Sequence, residues 1–199
     1  MNRQEILSIV KQFAIDKTAK DDIHGFSHTE RVYDLCIQIG EKLGGNLFVL
    51  KASALFHDIG RNRESKTKSE HNHAEISAEI AKEFLKSKEF EISEDIINHI
   101  IHCIRSHSFS NNSVPETLEA KILSDADKLD ALGAIGLYRT IGFTIKNEGG
   151  IDQVIDHLEK KILQLNKRFY LDFTKKLALE KQKIILDFYN EIKRERIKL

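Results

Sequence analysis

The chain has no tryptophan, a single proline, a single methionine and only two cysteines in 199 residues. Near-absence of proline, with only ten glycines and no Val/Thr-rich alternating segment, argues against a sheet protein and for an all-α one. Cys36 and Cys103 both fall among apolar residues at helical spacing, which suits reduced core thiols better than a disulfide. An excess of charge of either sign is also missing, since Lys+Arg and Asp+Glu each number 31. That removes any general electrostatic drive towards nucleic acid or an anionic membrane. No apolar run is long enough to span a bilayer, and the N-terminus lacks the apolar core of a signal peptide. A cytoplasmic location is therefore expected. What is present is a normal globular balance, 41% apolar and 31% charged, in a length that fills one domain. Neither an internal repeat nor a dividing linker is visible.

Apolar residues recur at helical spacing through most of the chain. Ile6, Leu7, Ile9, Val10 and Phe13 predict a first helix over residues 2–15. Val32, Leu35, Cys36, Ile39 and Leu43 predict a second from His28 to Leu43, with Ser27 as N-cap and Gly44-Gly45 closing it. Asn46 is placed to cap a third, which ends at His57-Asp58. Residues 61–70 are charged and carry no apolar partner, so they read as a mobile loop suited to a substrate-facing lid. A helix resumes with His73, Ile76, Ile80 and Phe84, and another runs from an N-cap at Ser93 to His107. After a polar loop from Ser108 to Pro115 comes a helix over Leu118–Leu132. Gly133 and Gly136 then allow a break or close helix packing. Two further helical stretches follow Gly149-Gly150, the last over about residues 168–196 with a charged, solvated face.

The chemistry concentrates where the third helix leaves the core. Leu50, Ala52, Ala54, Leu55 and Phe56 read as its buried face, and His57 and Asp58 emerge directly after them. Gly60 supplies a stop signal. A carboxylate in that position is costly to bury unpaired, and a metal ion would neutralise it. Two imidazoles and two carboxylates, if His28 and a later aspartate join the pair, form a mixed N/O set suited to Mn²⁺, Fe²⁺, Co²⁺, Ni²⁺ or Zn²⁺. Mg²⁺ is less favoured by imidazole. By spacing alone the later aspartate is either Asp125 or Asp127.

Three runs carry a resemblance: His28-Thr29-Glu30-Arg31-Val32, Ala54-Leu55-Phe56-His57-Asp58-Ile59-Gly60, and Ile122-Leu123-Ser124-Asp125-Ala126-Asp127-Lys128-Leu129-Asp130. In that order they resemble the HD-domain superfamily of metal-dependent phosphohydrolases. The Asp-Ala-Asp-Lys-Leu-Asp run is similar to its bacterial stand-alone branch, whose members include nucleotide pyrophosphohydrolases. The motifs cover roughly residues 20–140. The likeness implies a single helical-bundle domain over residues 1–199, with the metal-site core at about 20–140 and C-terminal helices at 151–197 packing on it. It also implies metal ligands His28, His57, Asp58 and Asp127, the last because the family's Ala-Asp pair falls there. Such a set leaves room for a phosphate oxygen and for a water whose pKa the metal lowers.

The same resemblance extends to further residues. His24 precedes His28 by four, as in the branch's His-Asp-x-x-His pattern, but Gly25 stands where the aspartate is usual. His24 is then either a substrate-phosphate contact or a loop histidine. His73 and His107 match positions that hold a second metal in some branches; we expect them instead to bind phosphate or transfer protons as catalytic groups. Arg61 and Lys128 adjoin proposed ligands and are expected to meet the substrate's phosphates, with Arg63, Lys66 and Lys68 near them. Asp130 shares a helix face with Asp127 and is expected to orient a ligand or a ribose hydroxyl. His71, His99, His102 and His157 read as structural or surface residues. The expected activity is release of phosphate or pyrophosphate from a nucleotide or other small phosphate ester, by a monomer or homodimer. A non-catalytic, metal-containing nucleotide sensor is the alternative. Neither a nucleic acid nor a membrane is an expected partner.

Overall fold

A computed structural model describes residues 1–61, 73–87, 90–108 and 113–197. All regular structure among these residues is helical, as expected from the sequence. The chain divides into two compact units, Met1–Ser124 and Asp125–Leu199.

The first unit is built around its most apolar helix. Helix α1 (Arg3–Lys17) opens with a capping box between Asn2 and Glu5 and buries Ile6, Val10 and Ala14. Helix α2 (Phe26–Leu43) starts earlier than expected. Its N-cap is Gly25 rather than Ser27, and the Ser27 hydroxyl donates to Asp22 at 3.2 Å. The reason is steric: a Cβ on Gly25 would lie 2.0 Å from the Asp21 carbonyl oxygen and 2.4 Å from that of Ala19. Only glycine fits this turn. Gly44, at φ 81°, ends α2 in the left-handed region.

Asn46 then caps helix α3 (Leu47–Phe56), accepting from the N–H groups of Phe48 and Val49. Phe48 to Leu50 and Ala52 to Phe56 are all buried, the mark of a helix surrounded by protein on every side. Helices α1, α2, α4 (His73–Ser87) and α5 (Glu94–His107) pack on it. Phe13 stacks on Phe84 at 4.1 Å and meets Phe56 edge-on at 6.2 Å, tying α1 to α4 and α3. Because α3 is central, whatever follows its last turn begins inside the core. Ser93 precedes α5 as expected, though its side chain makes no cap hydrogen bond. Neither Cys36 nor Cys103 is in a disulfide, and both are buried.

The second unit takes over within helix α6 (Leu118–Asp130). Gly133, at φ 76°, provides the break before helix α7 (Gly133–Lys146). Helix α8 (Ile151–Lys160) and a 3-10 helix (Ile162–Arg168) lead to helix α9 (Asp172–Ile197). The last helix thus starts four residues later than its apolar pattern implied. The Asp125 carboxylate explains the offset: it accepts the N–H groups of Tyr170 (3.0 Å) and Leu171 (3.0 Å) and the Thr174 hydroxyl (2.5 Å). Those bonds hold residues 169–171 outside the helix and start α9 after them.

Candidate metal centre

Asp58 is the hub of a buried cluster. His28, at the start of α2, and His57, the C-cap of α3, face its Oδ2 through their Nε2 atoms at 3.5 and 3.7 Å. His73, opening α4, and His107, closing α5, face its Oδ1 at 3.6 and 3.7 Å. Helix termini supply all these groups, so the backbone ends converge on one point while the helix bodies fill the core. The four imidazoles and the carboxylate are between 0% and 7% exposed. Their donor atoms form two overlapping sets, His28-His57-Asp58 and Asp58-His73-His107, each within 4.8 Å.

Hydrogen bonds decide which nitrogens carry protons. His57 Nδ1 lies 2.7 Å from the Ala54 carbonyl and His107 Nδ1 lies 2.6 Å from that of Ile104. A carbonyl only accepts, so each Nδ1 carries a proton, and Nε2 is the nitrogen turned towards the cluster. His57 Nε2 and His28 Nε2 stand 3.2 Å apart beside the carboxylate. Two ring nitrogens that close need a proton or a cation between them. Among the described residues Asp58 Oδ1 and His107 Nε2 also have no hydrogen-bond partner, although both are fully buried. A divalent transition metal satisfies each of these demands, and the donors present fit one.

Asp58 is nonetheless held ionised by the protein itself. Burial would push its carboxyl up, but the Arg61 guanidinium, then His57, His107 and His28, bring it well below the usual carboxylate range. Arg61 Nε donates to Oδ2 at 2.5 Å, and its side chain is 31% exposed. Arg61 therefore reaches the hub directly instead of pointing away from it.

The remaining expected residues lie as follows. Asp127 is half-buried on α6, and its place as a fourth ligand rests on the resemblance. Lys128 is 8% exposed, with its ammonium 3.7 Å from Asp125 Oδ1 and 4.9 Å above the Tyr170 ring; burial lowers its pKa in spite of Asp125 and Asp127. Asp130 is buried and accepts from Arg139 at 2.7 Å. His24 is half-buried, its N–H bonded to Asp21 at 2.8 Å. His99 meets Thr117 and Glu119, His102 accepts the Glu116 N–H, and His157 packs against Phe143. Arg63, Lys66, Lys68 and His71, with the lid expected around them, lie outside the described residues.

Sequence reasoning overlooked the residues that brace the site. Ser77 accepts the Gly60 N–H at 2.9 Å, and Ser124 donates to the His107 carbonyl at 2.9 Å. Arg105 grips Glu75 at 2.8 and 3.1 Å, joining α5 to α4 two residues from each of their histidines. Ser77 could have been found as the residue one turn after His73; the Glu75–Arg105 pair, on separate helices, leaves no local signal.

The family model of the HD domain matches residues 25–132, and the chain belongs to that family. Fold and family together place it among HD-domain hydrolases. The crystal structure of the Lin1889 protein from Listeria innocua is similar, with 30% identity, 100% of this chain and 99% of that one covered, and a TM-score of 0.77. Bacillus subtilis YpgQ in complex with ADP gives 25% identity, 98% and 97% coverage and a TM-score of 0.77. A protein from an uncultured Thermotogales bacterium, described as a predicted HD superfamily hydrolase, gives 28% identity, 96% and 91% coverage and a TM-score of 0.66.

Proposed function

We propose that this chain is a metal-dependent phosphohydrolase that releases phosphate or pyrophosphate from a nucleotide, with the metal held by His28, His57, Asp58 and Asp127. The observation that carries the reading is the buried Asp58 carboxylate with imidazole Nε2 atoms facing both its oxygens. The ADP complex of YpgQ supports a nucleotide as the substrate class. A bound divalent transition metal supplies Lewis acidity towards a phosphoryl oxygen and acidifies a water. The chain's own groups prepare for it. The Ala54 carbonyl fixes the tautomer and direction of the His57 ring. Arg61, cationic and part-exposed beside the hub, suits a phosphate oxygen and is the best supported of the expected phosphate contacts, ahead of His24 and Lys128.

For His73 and His107 two roles compete. Phosphate binding or proton transfer suits imidazoles beside a substrate. A second metal is favoured by a specific observation, since Asp58 Oδ1 faces both Nε2 atoms and, like His107 Nε2, has no hydrogen-bond partner among the described residues. Metal stoichiometry separates them: one per chain for the first role, two for the second.

The function is tested by incubating Mn²⁺-reconstituted protein with a nucleotide panel and measuring phosphate and pyrophosphate. Turnover that is lost in a folded Asp58→Asn variant is the expected result. Nucleotide binding without turnover would contradict the enzymatic reading and leave the sensing module in its place.

A further inference from the structure

Helix α7 is packed with its apolar side outwards. The side it buries carries Gly133, Gly136, Thr140 and Thr144. The threonine hydroxyls there are satisfied by their own helix, Thr140 donating to the Gly136 carbonyl at 2.9 Å and Thr144 to that of Thr140 at 2.8 Å. The opposite side carries Ile135, Tyr138 and Ile145, which are 47%, 55% and 63% exposed. Together with Gly142 they fall within about 80° of helical arc, given 3.6 residues per turn. Ala134 and Ile141 flank them on one side; on the other lie Lys146 and Arg139, the latter turned to Asp130, so the charges border the stripe without entering it. Large apolar groups left in water at regular helical spacing mark a face that another molecule covers.

The spacing also says what that molecule is. Suppose the same stripe of a second copy lies antiparallel across it, with the two-fold axis level with Thr140. Ile135 of one helix, five residues before the axis, then stands opposite Ile145 of the other, five residues after it. Tyr138, two residues before, stands opposite Gly142, two after. The largest side chain of the stripe thus meets the position with no side chain, and does so twice by symmetry. A face that is complementary to its own rotated copy is what a two-fold dimer requires. The chain's net charge of zero adds no repulsion between copies. We propose that the exposed face of α7 is a homodimer interface, formed by antiparallel pairing of this helix with α7 of a second copy.

The full-length protein is to be studied by sedimentation velocity over a dilution series, alongside Tyr138→Glu and a cysteine pair. The expected wild-type result is a dimer that dissociates on dilution. Tyr138→Glu, changed at an exposed position, should keep its helical circular dichroism and sediment as a monomer. In Ile135→Cys/Ile145→Cys a short bismaleimide should give covalent dimer. Ile135→Cys alone should not, because the two copies of residue 135 would lie about 15 Å apart along the axis at 1.5 Å per residue. Cys36 and Cys103 are fully buried, so they do not interfere. A wild type that stays monomeric throughout, a dimer that survives Tyr138→Glu, or cross-linking of the single variant as readily as the double would overturn the proposal.

Discussion

Gly60 shows how little freedom the residues around Asp58 have. A Cβ there would lie 2.7 Å from the His73 carbonyl oxygen, 2.7 Å from the Ser77 nitrogen and 2.9 Å from Ser77 Oγ, to which the Gly60 N–H already donates. The segment that follows Asp58 therefore touches the first turn of α4, and the absence of a side chain sets how close Asp58 and His73 come. Gly60→Ala must push these backbones apart. It should cost roughly 1–3 kcal/mol, the usual scale of overpacking, and weaken metal binding more than Ser77→Ala does. Thermal unfolding and metal titration of both variants check this; a Gly60→Ala protein with wild-type melting and affinity would count against the contact. In the sequence Gly60 could be read only as a stop signal. Helix α3 in fact ends at Phe56, four residues earlier. The reason for the glycine lies on α4, and nothing local in the chain says which helix is opposite. His57 and Asp58 were easier, because the predominantly apolar helix before them forces their position at the edge of the core.

Among the elements, α4 and α5 matter most to the site, since one begins with His73 and the other ends with His107. The Glu75–Arg105 pair bridges them, with the guanidinium reaching to 2.6 Å. Both side chains are part-exposed, 24% and 40%, so the pair itself contributes only about 1 kcal/mol or less to stability. Its larger effect should be positional. Glu75→Arg or Arg105→Glu should each lower metal affinity at Asp58 with little change in melting temperature, and the combined charge swap should restore much of it. Calorimetric metal titration of the three variants decides the matter, and an affinity indifferent to all of them would show the two helices to be fixed by apolar packing alone. Most helices were legible because the apolar periodicity is strong, but α7 was not: in the sequence Gly133 and Gly136 read only as a break or close packing, and the helix over residues 133–146 went unpredicted. Boundaries were less legible. Ser27 is as good a cap residue as any, and only the crowding around Gly25 moves the start of α2. The start of α9 depends on Asp125, 45 residues from Tyr170 in sequence, a contact that no local pattern announces.

On the scale of the whole molecule, an absence read from the sequence is matched: among the described residues no helix is long and apolar enough to cross a membrane. The family match over residues 25–132 runs past the division between Ser124 and Asp125, and we propose that the chain works as the single domain its motifs imply. The order of motifs, a histidine, a His-Asp pair and a later aspartate, is readable in the sequence alone. That a single carboxylate is shared by four imidazoles was suggested only by the resemblance, not by the residue pattern, because it depends on four helix ends meeting at one point. The account stands or falls on a cation at that point. Elemental analysis of Mn²⁺-reconstituted protein after gel filtration, wild type beside Asp58→Ala, measures it directly. We expect metal to remain with the wild type and to be lost from a folded Asp58→Ala. Equal metal content in the two, or none in the wild type, would contradict the account.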